Sequence, residues 1–154
     1  MTREDRRSGS TIPYWLGKVF TVLEGIQDGM VLSGKVQIDE EYYPIPGKEV
    51  VLVDGKLLRG LSRNKICIAI GCDDTGHSYF TRAGFGKPSV GRVMDAYGAH
   101  IELGSLLIHD MDKAHHKLVE GLELTEDVYN SKLLLKLKDA DNPLRDVNRL
   151  CYLL

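Results

Sequence analysis

Asp39 and Asp110 stand where a carboxylate is costly. The run Val36-Gln37-Ile38-Asp39-Glu40-Glu41-Tyr42-Tyr43 alternates apolar Val36 and Ile38 with Gln37 and Asp39, the period-two pattern of a strand whose faces meet different surroundings. Gly104-Ser105-Leu106-Leu107-Ile108-His109-Asp110 is a second short apolar run that also ends in Asp. A carboxylate near the end of a buried strand needs a hydrogen bond, a counter-charge or a metal to offset its desolvation. Two strands delivering Asp39 and Asp110 to one edge would make a divalent-cation site. Taken singly, Asp39 also fits a strand-end residue that caps a turn, and Asp110 an N-cap of the helix that follows.

Other residues invite other chemistry. His109, His115 and His116 beside Asp110 suggest a transition-metal hydrolase. On a helix, however, His115 and His116 point about 100° apart, so both do not easily reach one ion. His109 is expected to flank the acid site, and the adjacent pair to lie on a partly exposed helix. Gly84-Phe85-Gly86-Lys87-Pro88-Ser89 lacks the full spacing of a phosphate loop and reads as a strand-to-helix turn. Lys56, Arg59, Arg63 and Lys65 form an acid-free cationic stretch that would suit contact with phosphates, although a solvated loop is the plainer reading.

Strands and helices must position these groups. Residues 11 to 28 carry Ile12, Trp15, Leu16, Val19, Phe20 and Leu23 at helical spacing, with Pro13 in the first turn. Strands are expected over residues 32 to 43, Lys65 to Cys72, His77 to Phe85 and Leu106 to Asp110, with a short one at Val128-Tyr129. Residues 44 to 63 form a loop or a small hairpin. Helices are expected after Lys87-Pro88-Ser89, with Val90, Val93, Met94 and Tyr97 on one side, and over Lys113 to Glu120. A lysine- and leucine-rich stretch runs from Lys132 to Lys138. A last helix opens at Asn142 as cap and Pro143 as first residue, burying Leu144, Val147, Leu150, Cys151 and Leu154. Asn148 lies at one edge of that stripe, beside Leu144 and Cys151, and Asp146 at the opposite edge. Strands followed by alternating helices and strands suit a mixed α/β layer fold.

Composition narrows the function. With 154 residues and 43% apolar content, the chain has room for one ordinary domain with a core. A formal net charge of −2 is not the basic balance of an autonomous nucleic-acid binder. No run approaches the roughly 18 apolar residues of a membrane span, and no apolar signal-peptide core follows Met1-Thr2-Arg3-Glu4-Asp5-Arg6-Arg7, so the cytoplasm is expected. Cys67, Cys72 and Cys151 lack Cys-x-x-Cys spacing and are expected to be reduced, mostly buried thiols.

From about residue 31 onward the chain resembles the bacterial ISXO-type insertion-sequence transposases, which have a ribonuclease-H-like catalytic core. The resemblance rests on Ile38-Asp39-Glu40-Glu41-Tyr42-Tyr43, on Gly104-Ser105-Leu106-Leu107-Ile108-His109-Asp110, and on Asn142-Pro143-Leu144-Arg145-Asp146-Val147-Asn148, in that order. The third motif resembles the branch with Asn at the third catalytic position, which here is Asn148. The family's Lys seven residues further on would fall just beyond Leu154.

The resemblance implies a ribonuclease-H-like mixed sheet flanked by helices and preceded by a helix. It divides the chain into a helical remnant or linker, residues 1 to 30, and a catalytic core, residues 31 to 154, truncated at its C-terminus. It implies two Mg²⁺ or Mn²⁺ ions held by Asp39, Asp110 and Asn148: Asp39 bridging, Asp110 on one ion, the Asn148 amide oxygen on the other. The implied reaction is hydrolysis at transposon ends followed by transfer of the freed 3′-hydroxyl into target DNA. Implied partners are DNA and further copies of the chain, in the bacterial cytoplasm at the nucleoid, with Lys56, Arg59, Arg63 and Lys65 contacting DNA. The alternatives are an inactive remnant, a remnant that binds DNA or oligomerises, or a ribonuclease-H-like nuclease that cuts without joining.

Overall fold

The computed structural model describes residues 11–45 and 50–154, and the chain divides into two compact units, Met1–Met30 and Val31–Leu154. In the first unit, α1 spans Thr11–Asp28, as the three- and four-residue spacing predicts. Of its expected apolar stripe only Val19 and Leu23 have described side chains, and both are exposed.

The second unit is a five-stranded mixed sheet flanked by helices. In chain order it contains β1 (Lys35–Pro44), a small hairpin of β2 (Leu52–Val53) and β3 (Lys56–Leu57), then β4 (Lys65–Asp73) and β5 (Ser78–Phe85). After these come α2 (Val90–Tyr97), β6 (Leu106–Asp110), a 3₁₀ turn (Lys113–His115) and α3 (His116–Gly121). The chain finishes with β7 (Thr125–Tyr129), α4 (Ser131–Leu134), a second 3₁₀ turn (Asp139–Asp141) and α5 (Arg145–Leu153). The sheet order is β5-β4-β1-β6-β7, with β4 antiparallel to both β1 and β5, and β6 parallel to both β1 and β7.

Pairing assigns the two faces. Gln37, Asp39 and Glu41 lie opposite Cys72, Ile70 and Ile68, so these six share one face. There Ile70, Cys72, Ile108, Leu134, Leu144 and Val147 form a buried cluster that holds α5 on β1 and β4. Val36, Ile38 and Glu40 look the other way, toward α2. Fully buried Tyr97 of α2 reaches through that layer, its hydroxyl 3.0 Å from the Asp39 carbonyl and 3.1 Å from the Ile70 N–H. Gly71, opposite Ile38, leaves space for Leu32, whose Cδ1 would lie 2.7 Å from a Cβ at that position.

Some boundaries differ from expectation. The first strand begins at Lys35 rather than residue 32, because Gly34 turns at φ 71° and leaves Leu32 in an isolated bridge with Ile101. Residues 52–57 form a hairpin, with Asp54 and Gly55 both at positive φ as a two-residue turn requires. The helix expected from Lys113 to Glu120 is a 3₁₀ turn followed by α3; Asp112 caps it, accepting from Ala114 N at 3.0 Å. Only Ser131–Leu134 of the lysine-leucine stretch is helical. Ser89 caps α2, accepting from Arg92 N.

The start of α5 also differs from expectation. Asn142 does not cap it: its Oδ1 accepts from Leu144 N, and the helix begins at Arg145. The cap comes from the sheet. Gln37 Oε1 accepts from both Asp146 N and Val147 N at 3.1 Å, satisfying donors that a helix start leaves without partners.

Asp73 closes the β4–β5 turn. Its side chain is fully buried and accepts from Ser33 N, Thr75 N, Thr75 Oγ1 and His77 N at 2.7–3.1 Å. Burial alone would raise this carboxyl, but the hydrogen bonds from Thr75, Ser33 and His77 outweigh it and hold it at about 2. An acid depressed in the folded state stabilises above its unfolded value, near 4, and that stability is lost as pH falls toward 2. Chemical denaturation should therefore show Asp73→Ala destabilised by about 2 kcal/mol or more at pH 7, with the gap to the parent narrowing below pH 4. A gap independent of pH would reject the role of the ionised carboxylate.

Candidate metal centre

Parallel pairing brings the principal acids to the same end of neighbouring strands. The β1–β6 register runs Lys35↔Leu106, Val36↔Leu107 and Gln37↔Ile108, and two residues further along both strands come Asp39 and Asp110. Each lies on the face covered by α5, as Ile70 and Ile108 do. Asp39 Oδ1 accepts from Glu40 N at 2.8 Å, and Asp110 Oδ1 accepts from Asp112 N at 3.0 Å. Burial pushes the Asp39 carboxyl up to about 7, against the Glu40 N–H bond that holds it down; the nearby charges of Glu40, Asp110 and Glu41 add to the rise. This surplus of negative charge in a partly desolvated place is what a hard divalent cation relieves.

α5 lies over that charge. Burial, with the Asp39 and Glu41 carboxylates adding, pushes the Cys151 thiol up to about 12. Asn148, half-buried, sits one turn before Cys151 and one turn after buried Leu144. Among the described residues its amide makes no hydrogen bond, whereas Asp39 and Asp110 each accept one. Asp146 is not turned away, as the helical wheel suggests: its Oδ2 accepts from Gln37 Nε2 at 3.2 Å, so it is tied into the clasp that fastens the helix to β1. The thiols of Cys67, Cys72 and Cys151 are free, the first two buried. Lys56, Arg59 and Arg63 are exposed on and after the β2–β3 hairpin and Lys65 is half-buried at the start of β4; none joins an ion pair among the described residues.

The opposite face holds a polar chain that the sequence reading missed. Glu40 lies 3.2 Å from the Tyr97 hydroxyl and 3.2 Å from His115 Nε2. His115 Nδ1 lies 2.9 Å from His109 Nδ1, and His109 Nε2 lies 3.2 Å from Glu126 Oε1. His115 is only 1% exposed, so the expected partly exposed pair is corrected: His115 turns into the core and exposed His116 bonds Lys113 O. The reason is the 3₁₀ turn, which aims His115 at β6. Burial, with His115 adding, lowers the His109 pKa; burial would lower His115 too, but the bond and charge of Glu40, with Asp110 and Asp112, raise it. One donor atom each from His109, Asp110 and His115 lies within 4.8 Å of the others, close enough to hold a metal ion. The signal was present in the period-two runs Val36-Ile38-Glu40 and Leu107-His109, which put a polar group at the end of each apolar face.

No family model matches the chain, and no curated protein does. Among solved structures it is similar to a chain of the simian T-cell lymphotropic virus intasome in complex with PP2A regulatory subunit B56 gamma, at a TM-score of 0.39 and 10% identity. That match covers 88% of this chain, which spans 55% of the other.

An acid raised in the folded state favours folding at low pH, and this advantage is lost as pH rises through about 7. A cation that needs the ionised carboxylate restores it. The gain in thermal midpoint with Mg²⁺ or Mn²⁺ should thus grow from pH 6 to pH 8, as the added stability approaches roughly 2.7 kcal/mol at 100 times the dissociation constant. Asp39→Asn should raise the metal-free midpoint at pH 8 and abolish the gain. Equal gains at both pH values, or a gain surviving in Asp39→Asn, would remove Asp39 from the site.

Proposed function

We propose that this chain carries the catalytic core of a ribonuclease-H-like DNA transposase, one that hydrolyses a phosphodiester at a transposon end and transfers the freed 3′-hydroxyl into target DNA. The observation that supports the reading is the parallel β1–β6 pairing up to Gln37↔Ile108, two residues before Asp39 and Asp110 on their strands, together with the Asp110 charge acting on the Asp39 carboxyl. The five-stranded mixed sheet between helices agrees with the fold that the motifs imply. The donor set of Asp39, Asp110 and Asn148 is all oxygen and suits Mg²⁺ or Mn²⁺. Bound ions of this class supply Lewis-acid neutralisation of the attacking and leaving oxygens.

The chain's own residues do the positioning. Asp39 and Asp110 contribute the negative charge. Asn148 contributes an uncharged oxygen from α5, so its share of binding is weaker than a Glu would give. Gln37 and Asp146 fix α5, and hence Asn148, against β1. Tyr97 fixes the backbone of Asp39 from behind. In the first step water attacks the phosphorus and the 3′-oxygen leaves as a hydroxyl; in the second that hydroxyl attacks a target phosphodiester, whose own 3′-oxygen departs. Exposed Lys56, Arg59 and Arg63, with Lys65, supply cationic contact to the DNA backbone, and several copies of the chain assemble on the paired ends.

The test is cleavage and joining of DNA bearing the element's ends, with Mg²⁺ or Mn²⁺. The parent should cut and join. Asp39→Asn and Asp110→Asn should each lose about 100-fold or more, since several kcal/mol of Lewis-acid stabilisation goes with the ion. Replacing both Arg59 and Arg63 with Ala should weaken DNA binding almost uniformly across sequences and reduce its salt slope by roughly two. Cutting without joining would reject the transfer step, and metal-dependent cutting that survives both Asp→Asn changes would reject the site.

A further inference from the structure

The Glu40–His115–His109–Glu126 chain does not balance as neutral histidines. Its three close contacts, Glu40 to His115 Nε2, Nδ1 to Nδ1, and His109 Nε2 to Glu126, each need a proton between the atoms, and two neutral imidazoles carry only two. If both Nε2–H groups donate to the carboxylates, the two Nδ1 atoms present lone pairs to each other at 2.9 Å. Something positive belongs there.

We infer that His109 Nδ1, His115 Nδ1 and the Asp110 carboxylate form a site for a d-block divalent cation of the zinc class. The donors are the right kind, since imidazole selects zinc-like ions whereas Mg²⁺ prefers oxygen throughout. Their spacing is close to what is needed. Two nitrogens each 2.0–2.1 Å from a tetrahedral ion stand about 3.3 Å apart, so the Nδ1 pair at 2.9 Å has to open by only a few tenths of an ångström. Donor atoms of all three residues already lie within 4.8 Å of one another. The outer contacts fit as well: a ligating histidine donates its remaining ring N–H to a carboxylate, and Glu40 and Glu126 sit at those two Nε2 atoms. Three protein ligands leave a fourth position for water.

The site differs from the oxygen set under α5 in its two nitrogen donors and meets it at Asp110, whose carboxylate at the end of β6 lies within 4.8 Å of a donor atom of each histidine. Zinc alone, and Co²⁺ as its coloured stand-in, are the probes. The full chain should take up one Zn²⁺, and Co²⁺ should give the visible bands of a four-coordinate ion. His109→Gln and His115→Gln should each weaken Zn²⁺ binding at least tenfold, while His116→Gln, which changes an exposed ring turned to Lys113 O, should leave it within twofold. Because both histidines are buried, nitrogen NMR of the unmodified chain provides a second reading: Zn²⁺ should move both histidine Nδ1 resonances while both Nε2 stay protonated. A chain that binds no Zn²⁺ at pH 7, or binds it with the Nδ1 resonances unmoved, would show that a shared proton alone occupies the gap.

Discussion

Everything at the centre depends on the register of two parallel strands. Because side chains alternate along a strand, pairing Gln37 with Ile108 puts Asp39 and Asp110 on one face; sliding β6 by a single residue would turn His109 onto the face of Asp39 and Asp110 away from it. Such a register must be held by burial. On one side Ile70, Cys72, Ile108, Leu144 and Val147 do this, and on the other Val36, Ile38, Leu107 and Tyr97. The apolar layers set the alignment, and the carboxylates at the strand ends inherit it.

The same alternation gives the strand ends two chemistries. Toward α5 stand Asp39, Asp110 and Glu41, where burial and the neighbouring charges make the ionised Asp39 carboxylate costly. Toward α2 stand Glu40 and His109, closed over by His115 and Tyr97. Adjacent residues thus serve opposite faces: Asp39 with Glu40 on β1, and Asp110 with His109 on β6. Tyr97 links them, its hydroxyl touching both the Asp39 carbonyl and the Glu40 carboxylate. Rigidity on the α2 side therefore limits how far the acids on the α5 side can drift.

Much of this was legible in the sequence, and the illegible parts share one cause. The runs ending at Asp39 and Asp110, the strands from Lys65 and Leu106, and the Ser89-capped helix follow from local alternation, helical spacing and capping, which need only near neighbours. The start of α5 does not. Asn142-Pro143 is the better local cap, yet Gln37 Oε1 caps the helix by accepting from Asp146 N across a separation of 109 residues. His115 likewise reads as half-exposed until a 3₁₀ turn replaces the first helical turn and aims it at His109. Asp146 leaves the expected edge because Gln37 draws it in. Contacts set by tertiary packing outweighed local preference in each case.

The measurement that bears most directly on the centre is a double-mutant cycle in Mn²⁺ affinity across the parent, Asp39→Asn, Asp110→Asn and the double variant, read by the spin-resonance signal of the free ion. If the two carboxylates hold one site, either change alone removes most of the affinity and the second adds little, so the effects are strongly non-additive. Independent, additive losses, or an affinity that neither change alters, would mean that aligned strands place two acids near each other without making them a metal centre.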